Sequence, residues 1–568
     1  MKYMNNINRS FLIIAALFFM GSCSTLEFDE TSGLVQKEDV YKYFDRTTSM
    51  LNYLYTFIPQ DFSSVGGAPK ACATDDAEFG QKFSGVQFLT NGSWSALNLV
   101  DYPWDKYYKG IRAANGFIKE IDNVDLTRYQ YDNGYGLMMK KLPTYVYQAR
   151  LLRAYYFFEL ARRYGDIPMP LDVLTIEEAN SITKTKFSDV IDFVVKECDE
   201  VVPNLPLSYK ELSKEYGRMN KGFAMALKTK ALLFRASALH NSSNDKKYWE
   251  RCAEAAHALI DSSETKGWYG LAGVLTAMNK YDAKDVIMFR QNGPNSTFEK
   301  INFPVRLTDG KSSTTGVCPS QNLVDAFETV NGEQVILTDQ GWESKDPTFD
   351  KERPYENRDP RFYKTIVTNG MKFKDITIEA YEGGRERVAV SEGGTATGYF
   401  LRKYIDETTS FDPNKLVKKR HTWIIYRYAE VLLSYAESMI EAFDDPDYTD
   451  TKYTRSARWA INQVRQNAGM PTIETSNKSE FIKKLRNEWR VEFAFEGHRF
   501  WDIRRWKIGA ETQTRLYGVS ITNKDDGSQQ YQRQLYETRY WDNKMNLYPI
   551  KQSELFANPN LQPQNQGW

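Results

Sequence analysis

A run of apolar and aromatic side chains at helical spacing restricts the fold of this chain more than any other feature. Its five members recur at steps of four, three, four and four residues, which places them on one face of a helix: Tyr145, Ala149, Leu152, Tyr156 and Leu160. Gly165 then tolerates the left-handed conformation of a helix end, and Pro168 cannot continue a helix. The pattern predicts an amphipathic helix that ends near residue 165.

The same spacing predicts further helices, joined in pairs by short polar links. The predicted helices are 187–201, 221–239, 248–262, 425–442, 453–468 and 481–495, and the links are 241–247 and 444–452. Alanines that allow close helix approach are frequent on the pair 221–239 and 248–262: Ala224, Ala226, Ala231, Ala236, Ala238, Ala253, Ala255, Ala256 and Ala258. We therefore predict a mainly α fold, a tetratricopeptide-like scaffold of helical hairpins whose repeats are degenerate.

Between residues 266 and 400 the helical periodicity fades, and Gly, Pro, Asn and Thr become frequent. This composition predicts loops and short strands, and long irregular segments on a rigid scaffold often carry binding residues. An insertion without a binding function is the alternative. We divide the chain into an amino-terminal region with helical hairpins, 23–265, and a carboxyl-terminal region with irregular ligand-binding loops and later helices, 266–568.

The first 23 residues have the layout of a secretory signal peptide that ends at a lipid attachment site. Two basic residues precede an apolar, uncharged run at 11–20, and Gly21 and Ser22 lead into Cys23. The run is about half of the roughly 20 residues that a membrane-spanning helix needs. We predict removal of residues 1–22 and acylation of Cys23, with several acyl chains for stable anchoring. Ordinary signal-peptide cleavage near a cysteine is the alternative.

Composition and missing motifs argue against several classes of function. The 74 basic and 74 acidic residues cancel, so no basic field is available to attract nucleic acid. The four cysteines after Cys23 are far apart without a CxxC pair, and the four histidines lack metal-ligand spacing. No HExxH, GxSxG or complete phosphate-binding motif occurs. We expect no cofactor, no metal and no enzymatic activity.

Aromatic residues are the informative excess, at 14% of the chain. Flat rings can stack on sugar faces while Asp, Asn or Arg side chains bond paired hydroxyls. Candidate ligand contacts of these types near the amino terminus are Asp75, Asp76, Trp94 and Asn98. Candidates in the irregular middle are Trp268, Tyr269, Tyr281 and Trp342. For each of the eight, packing in the core is the alternative.

Residues 496–506 place several arginines among aromatic rings, on which guanidinium groups stack well. We interpret this segment as structural rather than as a ligand site. Arg427, Glu430 and Glu437 lie on the predicted helix 425–442 and are expected to pair with these arginines. Such pairs would hold the helices in register at the cost of desolvation.

Motifs spread over nearly the whole chain resemble those of one known family. In chain order, several of them are Trp104-Asp105-Lys106-Tyr107-Tyr108, Tyr164-Gly165-Asp166-Ile167-Pro168, Asn357-Arg358-Asp359-Pro360-Arg361-Phe362, Arg427-Tyr428-Ala429-Glu430, Glu496-Gly497-His498-Arg499-Phe500-Trp501-Asp502 and Gln564-Asn565-Gln566-Gly567-Trp568. On these motifs the chain resembles the SusD-like (RagB/SusD) nutrient-binding outer-membrane lipoproteins. The resemblance implies a tetratricopeptide-like scaffold docked over a SusC-like TonB-dependent transporter, to which family members deliver glycans or, less often, peptides.

Anchor, scaffold and resemblance together predict a surface-exposed lipoprotein of the outer membrane. We expect it to capture oligosaccharides and pass them to a SusC-like TonB-dependent transporter. A peptide-binding member of the same family and a surface glycoside hydrolase are the alternatives. The absence of enzymatic motifs argues against the hydrolase more firmly than the aromatic loops argue against peptides.

Overall fold

The structure, a computed structural model, describes residues 40–81, 83–209, 215–273, 280–310 and 312–568. The predicted signal peptide and the predicted acylation site Cys23 lie outside the described residues. None of the helices in the described part combines the length and the apolar character needed to cross a membrane.

Helices supply the framework, and those of eight residues or more are labelled in chain order. They are α1 Phe44–Tyr55, α2 Trp104–Glu120, α3 Tyr135–Tyr164, α4 Phe187–Val201, α5 Lys221–Ala236, α6 Lys246–Lys266, α7 Tyr428–Phe443, α8 Ala457–Asn467, α9 Lys478–Glu492 and α10 His498–Trp506. Shorter helical segments are Ile176–Ala179, Thr297–Asn302, Gln321–Val324, Pro360–Thr365, Gly509–Thr512 and Gln552–Ala557.

The helix predicted from the apolar run is α3. All five residues of the run are buried, and the backbone leaves the helix at Gly165 with a positive φ of 70°. The Gly165 N–H still donates to the Ala161 carbonyl at 2.8 Å. The predicted end is therefore confirmed, and the helix also extends ten residues further toward the amino terminus than the apolar run alone indicates.

Helices α2 to α8 form a continuous row in which each helix packs on the next. The predicted polar links 241–247 and 444–452 connect neighbours in this row, α5 with α6 and α7 with α8. Helices α6 and α7 also pack closely, although residues 267–427 separate them in sequence. The mainly α, tetratricopeptide-like scaffold is confirmed, with one long insertion between two adjacent helices.

Several predicted helix boundaries need correction. The segment predicted as helix from 425 forms strand up to Arg427, because its β-branched and aromatic residues pair with another strand, and α7 begins at Tyr428. Helix α8 begins at Ala457 rather than 453, where the Ser456 side chain accepts from the Trp459 N–H. Helix α9 begins at Lys478 rather than 481, capped in the same way by Asn477.

The strands pair antiparallel, two at a time, and most of them are short. They are β1 Ala77–Phe79, β2 Val286–Gln291, β3 Val317–Pro319, β4 Val335–Thr338, β5 Gly341–Ser344, β6 Ile366–Val367, β7 Lys372–Phe373, β8 Ile376–Thr377, β9 Phe400–Leu401, β10 Thr422–Arg427, β11 Arg515–Asn523 and β12 Gln529–Thr538. Strand β2 near the start of the insertion pairs with β10 at its end. This β2–β10 ribbon is the neck through which the insertion leaves and rejoins the scaffold.

The insertion contains a small hydrophobic core of its own beside the main one. Its members are Phe303, Val367, Phe373, Ile378, Ala380, Phe400 and Phe411. Loops and short strands predicted for 266–400 are therefore present, and they are packed rather than loosely attached. Because the insertion is internally supported, side chains near its neck can be held in defined positions.

Buried ion pairs join the neck to the later helices. The Arg427 guanidinium donates to Glu496 at 2.9 Å, and Arg361 donates to Glu492 at 2.8 Å. Arg505 of α10 donates to Glu437 of α7 at 2.8 Å, as predicted. Glu430 instead pairs with Lys230 of α5. The structural interpretation of residues 496–506 therefore agrees with the structure, with partners that differ in part from those expected.

Candidate functional site

Two clefts meet beside the β2–β10 ribbon and share the side chains Tyr281 and Gln291. One, of about 560 Å³, lies between these residues and the segments 404–407 and 420–422. The other, of about 380 Å³, lies between β2, the end of α1 and residues 215–218. We call the two clefts together the neck groove. Each has the size of a typical small-molecule site.

Three aromatic rings form one surface of the neck groove. The ring of Tyr281 lies 5.2 Å from that of Tyr216, edge to face, and 5.2 Å from that of Phe289, tilted by 38°. Tyr216 is 47% exposed, and the other two rings are half-buried. Phe289 pairs with Ile424 of β10 in the ribbon, which fixes the backbone that carries this ring. An exposed ring surface of this kind suits the apolar face of a sugar.

Polar side chains surround the aromatic surface. Gln291 donates to the Thr422 hydroxyl at 3.1 Å, and Arg218 donates to the Asn52 side-chain oxygen at 2.9 Å. Asp406 and Arg420 also line the larger cleft. Rings flanked by amide, carboxylate and guanidinium groups can bind ligand hydroxyls while the rings stack on the carbon face.

Of the eight predicted ligand contacts, Tyr281 is the one that lines the neck groove. Asp75 and Asp76 lie together in the interior instead. The Asp75 carboxylate accepts from Arg499 at 2.8 and 2.9 Å, and Asp76 accepts from Arg490 at 2.7 Å. Both side chains are 5% exposed or less, so they offer no surface to a ligand in this structure and hold the carboxyl-terminal helices instead.

The electrostatics of the two aspartates agree with this structural role. Burial acts to raise the pKa of Asp75, but Arg490 and Arg499 outweigh it and hold the pKa below its ordinary value. The pKa of Asp76 is raised, because burial and the neighbouring Asp75 outweigh Arg490. Asp75, enclosed by two guanidinium groups, therefore remains ionised and has hydrogen bonds to Arg499 and Gln513, whereas Oδ2 of Asp76 is buried without a partner among the described residues.

Trp94 and Asn98, the other two candidates near the amino terminus, contact different parts of the chain from these aspartates. Trp94 is 3% exposed, with its ring 4.9 Å from those of both Tyr548 and Trp568. The Asn98 side chain donates to the Ser93 carbonyl at 2.9 Å and closes a turn. The sequence places them near a polar loop, but packing against the carboxyl terminus determines the environment of Trp94.

The three remaining candidates are dispersed over the fold. Tyr269 is buried, and its ring fills the space beside Gly222, where no Cβ fits. Trp268 is half-buried, with Lys266 Nζ 5.2 Å from its ring centre. Trp342 lies on β5 and packs edge-on against Tyr355 at 5.7 Å. The alternative of core packing describes Tyr269 and Trp342.

Sequence reasoning missed Tyr216, Phe289, Gln291 and Arg420. Tyr216 lies outside the irregular segment 266–400, so the Gly, Pro, Asn and Thr content that marked that segment as a binding region did not point to it. Phe289 and Gln291 lie at alternate positions of β2, and a strand pattern there would have placed them on one face. Arg420 ends a basic run that can be recognised in the sequence. Its position at the groove, however, depends on the pairing of the following strand β10 with β2, which the run does not predict.

Other cavities fit a ligand less well. An enclosed cavity of about 70 Å³ among buried charged pairs near Lys230 and Glu430 is too small for a sugar. A cleft of about 350 Å³ beside α2 is mostly apolar. Its polar groups hold residues 168–174, since Tyr108 donates to the Pro168 carbonyl and Asn115 donates to those of Pro170 and Asp172. In the described ranges no group of three or more possible metal ligands occurs.

A family model described as the SusD family matches residues 280–568, just over half of the chain. The chain belongs to the SusD family. A second family model, described as starch-binding associating with outer membrane, matches residues 74–237. The first match contains the neck strands β2 and β10 and the helices from α7 onward, and the second contains α2 to α5.

Relatives span nearly the whole SusD-like chain. The SusD-like protein P38 of Formosa agariphila is 21% identical over 555 residues, which is 92% of this chain and 95% of that protein. A solved SusD-like protein of Bacteroides fragilis has a TM-score of 0.76 at 26% identity, covering 94% of this chain and 99% of that one. A SusD-like carbohydrate binding protein of the same species has a TM-score of 0.72 at 23% identity, covering 92% and 100%.

Proposed function

We propose that the protein is a cell-surface lipoprotein that captures oligosaccharides in the neck groove and delivers them to a SusC-like TonB-dependent transporter. The observation that carries the proposal is the half-exposed ring surface of Tyr216, Tyr281 and Phe289, edged by polar side chains. The description of the family model over residues 74–237 and the name of the carbohydrate binding relative support a glycan as the ligand.

A glycan suits this groove better than a peptide for a geometric reason. The neighbouring rings are inclined to one another by 74° and 38°, and each offers an apolar face on which the carbon face of a sugar can stack. Edge-strand pairing, a common way to hold a peptide, would need free backbone groups at the groove. Strands β2 and β10 pair with each other along one edge each, so binding of a peptide along the other edge is an outcome that the ligand panel has to test.

We further propose binding without catalysis. The carboxylates that line the groove are neutralised in salt bridges, for example Asp406 with Lys419 at 3.2 Å and Glu215 with Lys141 at 2.7 Å. Burial acts to raise the pKa of both carboxyls, but hydrogen bonds and the basic partners outweigh it, so both pKa values lie below their ordinary range. A glycosidase acid needs the opposite, a carboxyl with a raised pKa.

Tyr281→Ala tests the site. We expect affinity for a bound oligosaccharide to fall about tenfold, since the loss of ring stacking costs on the order of 1.4 kcal/mol. Tyr281→Phe keeps the ring and is expected to bind like the parent protein. The control is Tyr131→Ala, because Tyr131 is 90% exposed and lines neither cleft.

The measurement is titration calorimetry of the full chain in mild detergent against a panel of oligosaccharides and peptides. Binding of peptides alone would replace the ligand class. Turnover of any glycan would contradict a function limited to binding. Equal affinity of Tyr281→Ala and the parent protein would move the site away from the neck groove.

A further inference from the structure

The acidic side chains of the neck groove all have basic partners. Three carboxylates line it, those of Glu215, Asp406 and Glu407. Glu407 pairs with Arg402 at 2.7 Å. Asp406 pairs with Lys419, and Glu215 pairs with both Lys141 and Arg218. No carboxylate of the groove is therefore left to repel an anion.

The basic side chains of the groove are not matched in the same way. Arg290 and Arg420 line it, and neither has a carboxylate within 4 Å among the described residues. Arg290 donates to the Ile58 carbonyl, which leaves its charge uncompensated. The pKa of nearby Lys106 is lowered to about 8, first by burial and then by repulsion from Arg290. Three arginines and three carboxylates line the groove, and Lys141, Arg402 and Lys419 pair with the carboxylates, so the charges of Arg290 and Arg420 are left in excess.

An exposed basic segment extends the same charge away from the groove. Lys415, Lys418 and Arg420 are all exposed and form no ion pair within the described part of the chain, and we call these three side chains the basic rim. The segment leads directly into His421 and Thr422, which line the larger cleft. A ligand in the larger cleft would therefore lie beside Arg420, with Lys415 and Lys418 a few residues earlier in the same exposed segment.

We propose that the neck groove selects an anionic polysaccharide, one whose sugars carry sulfate or carboxylate groups, with the rings holding the sugar faces and Arg420 binding the anionic substituent. This proposal rests on the proposed function. A guanidinium group binds both anions in a bidentate manner, so the two substituents share one chemistry. The basic rim raises the local concentration of a polyanion and makes its capture sensitive to salt.

The test compares polysaccharides that differ only in charge. Titration calorimetry of the full chain in detergent would use fucoidan, carrageenan and chondroitin sulfate with their desulfated forms, and alginate and polygalacturonate with their carboxyl-reduced forms. We expect at least one charged polymer to bind tenfold or more tightly than its neutral counterpart, and its affinity to fall as NaCl is raised. The sulfated and carboxylated series identify which anion is preferred.

Arg420→Gln locates the charge effect. We expect this variant to lose the preference for the charged form while still binding the neutral form. Lys483→Gln is the matched control, since Lys483 is an exposed cation on α9 that lines neither cleft and should leave affinity unchanged. Retention of the preference in Arg420→Gln would overturn the assignment to this groove.

The outcomes distinguish failure of the anionic-ligand proposal from failure of the proposed glycan capture. Equal binding of charged and neutral forms would overturn the anionic class and leave glycan capture intact. Binding of no polysaccharide of either kind would overturn both. Binding only of poly-glutamate, or only of vesicles with anionic lipid, would show that the basic rim serves a peptide or a membrane surface, and would also overturn the proposal.

Discussion

Trp94 and Tyr281 are both aromatic residues in loops rich in small and polar side chains, yet their surroundings differ. Trp94 is buried and makes T-shaped ring contacts with Tyr548 and Trp568, both near the carboxyl terminus. Tyr281 is covered by Tyr216 and Phe289 on some sides and open to the neck groove on another. At the scale of single residues, coverage by distant parts of the chain decides whether a ring stabilises the fold or meets a ligand.

Trp94→Ala is expected to destabilise the protein by about 3 to 5 kcal/mol, because the indole is buried and its removal leaves a cavity. Trp94→Phe should cost less, since it retains part of the packing against Tyr548. Denaturant-induced unfolding followed by fluorescence and circular dichroism would measure both. An unchanged unfolding midpoint for Trp94→Ala would show that the indole is not part of the core.

The environment of Glu430 predicts that the free energy of unfolding depends on pH. Burial raises its pKa from an ordinary 4.5 to about 7, although Lys230 lies 2.8 Å away. A carboxyl with a raised folded-state pKa stabilises the fold fully below pH 4.5, and this contribution is lost as pH rises toward 7. Neighbouring His498 adds no compensating charge, because burial lowers its pKa.

The corresponding experiment compares Glu430→Gln with the parent protein at pH 4.5 and pH 7. Across this window the parent protein should lose up to about 3 kcal/mol of unfolding free energy relative to the variant. Other buried carboxyls titrate in both proteins, so the difference between the two curves isolates Glu430. Parallel curves would contradict the raised pKa.

Much of the candidate site could not be predicted from the sequence because its residues come from distant segments. Tyr216 precedes α5, Phe289 lies on β2, and Arg420 precedes β10. Tyr281 was predicted because its segment has the composition of a binding loop. The burial of Asp75 depends on Arg490 and Arg499, more than 400 residues away, and local sequence carries no signal of such a partner.

At the scale of elements, prediction succeeded where periodicity was long and failed where tertiary pairing competed with it. The helix predicted at 187–201 matches α4 at both ends. Residues 425–427 have side chains compatible with both helix and strand, and pairing with β2 decides for strand. Helices α8 and α9 each begin after a polar capping residue. The cap of α8, Ser456, lies inside the predicted helix 453–468, and the cap of α9, Asn477, lies before the predicted helix 481–495.

Helix α6 offers a matched pair of substitutions for testing the close packing that alanine allows. Ala256 is fully buried on a helix that packs between α5 and α7, whereas Ala258 is exposed. Ala256→Leu should cost about 1 to 3 kcal/mol, because a larger side chain forces the helices apart. Ala258→Leu should leave the unfolding temperature nearly unchanged. Calorimetric melting of both variants is the measurement, and equal melting temperatures would contradict the packing argument.

At the scale of the whole molecule, the proposed ligand capture and the proposed lipid anchor would be coupled through the amino terminus. A binder that leaves the cell surface cannot pass its ligand to a transporter in the same membrane. Several acyl chains on Cys23 would retain it, since one short chain gives only marginal attachment.

Cys23→Ala is expected to abolish lipid anchoring in a bacterial host. The variant should be recovered without detergent after a high-salt wash, while the parent protein and a Ser24→Ala control remain with the membrane. Mass spectrometry of the mature amino terminus should show acyl groups on the parent protein. An unmodified Cys23, or a variant that still needs detergent, would contradict the anchor.

The contact between α6 and α7 has a consequence for how such a fold can acquire new ligands. The β2–β10 ribbon pairs the start of the segment between these helices with its end. The segment is therefore a long loop whose two ends are held close together. Doubling the length of a flexible closed loop costs only about 0.6 kcal/mol of entropy. Surface loops within residues 267–427 can thus change in length at small entropic cost while the helical row and the packed parts of the insertion stay in place, and under the proposed function such changes would alter which ligand is bound.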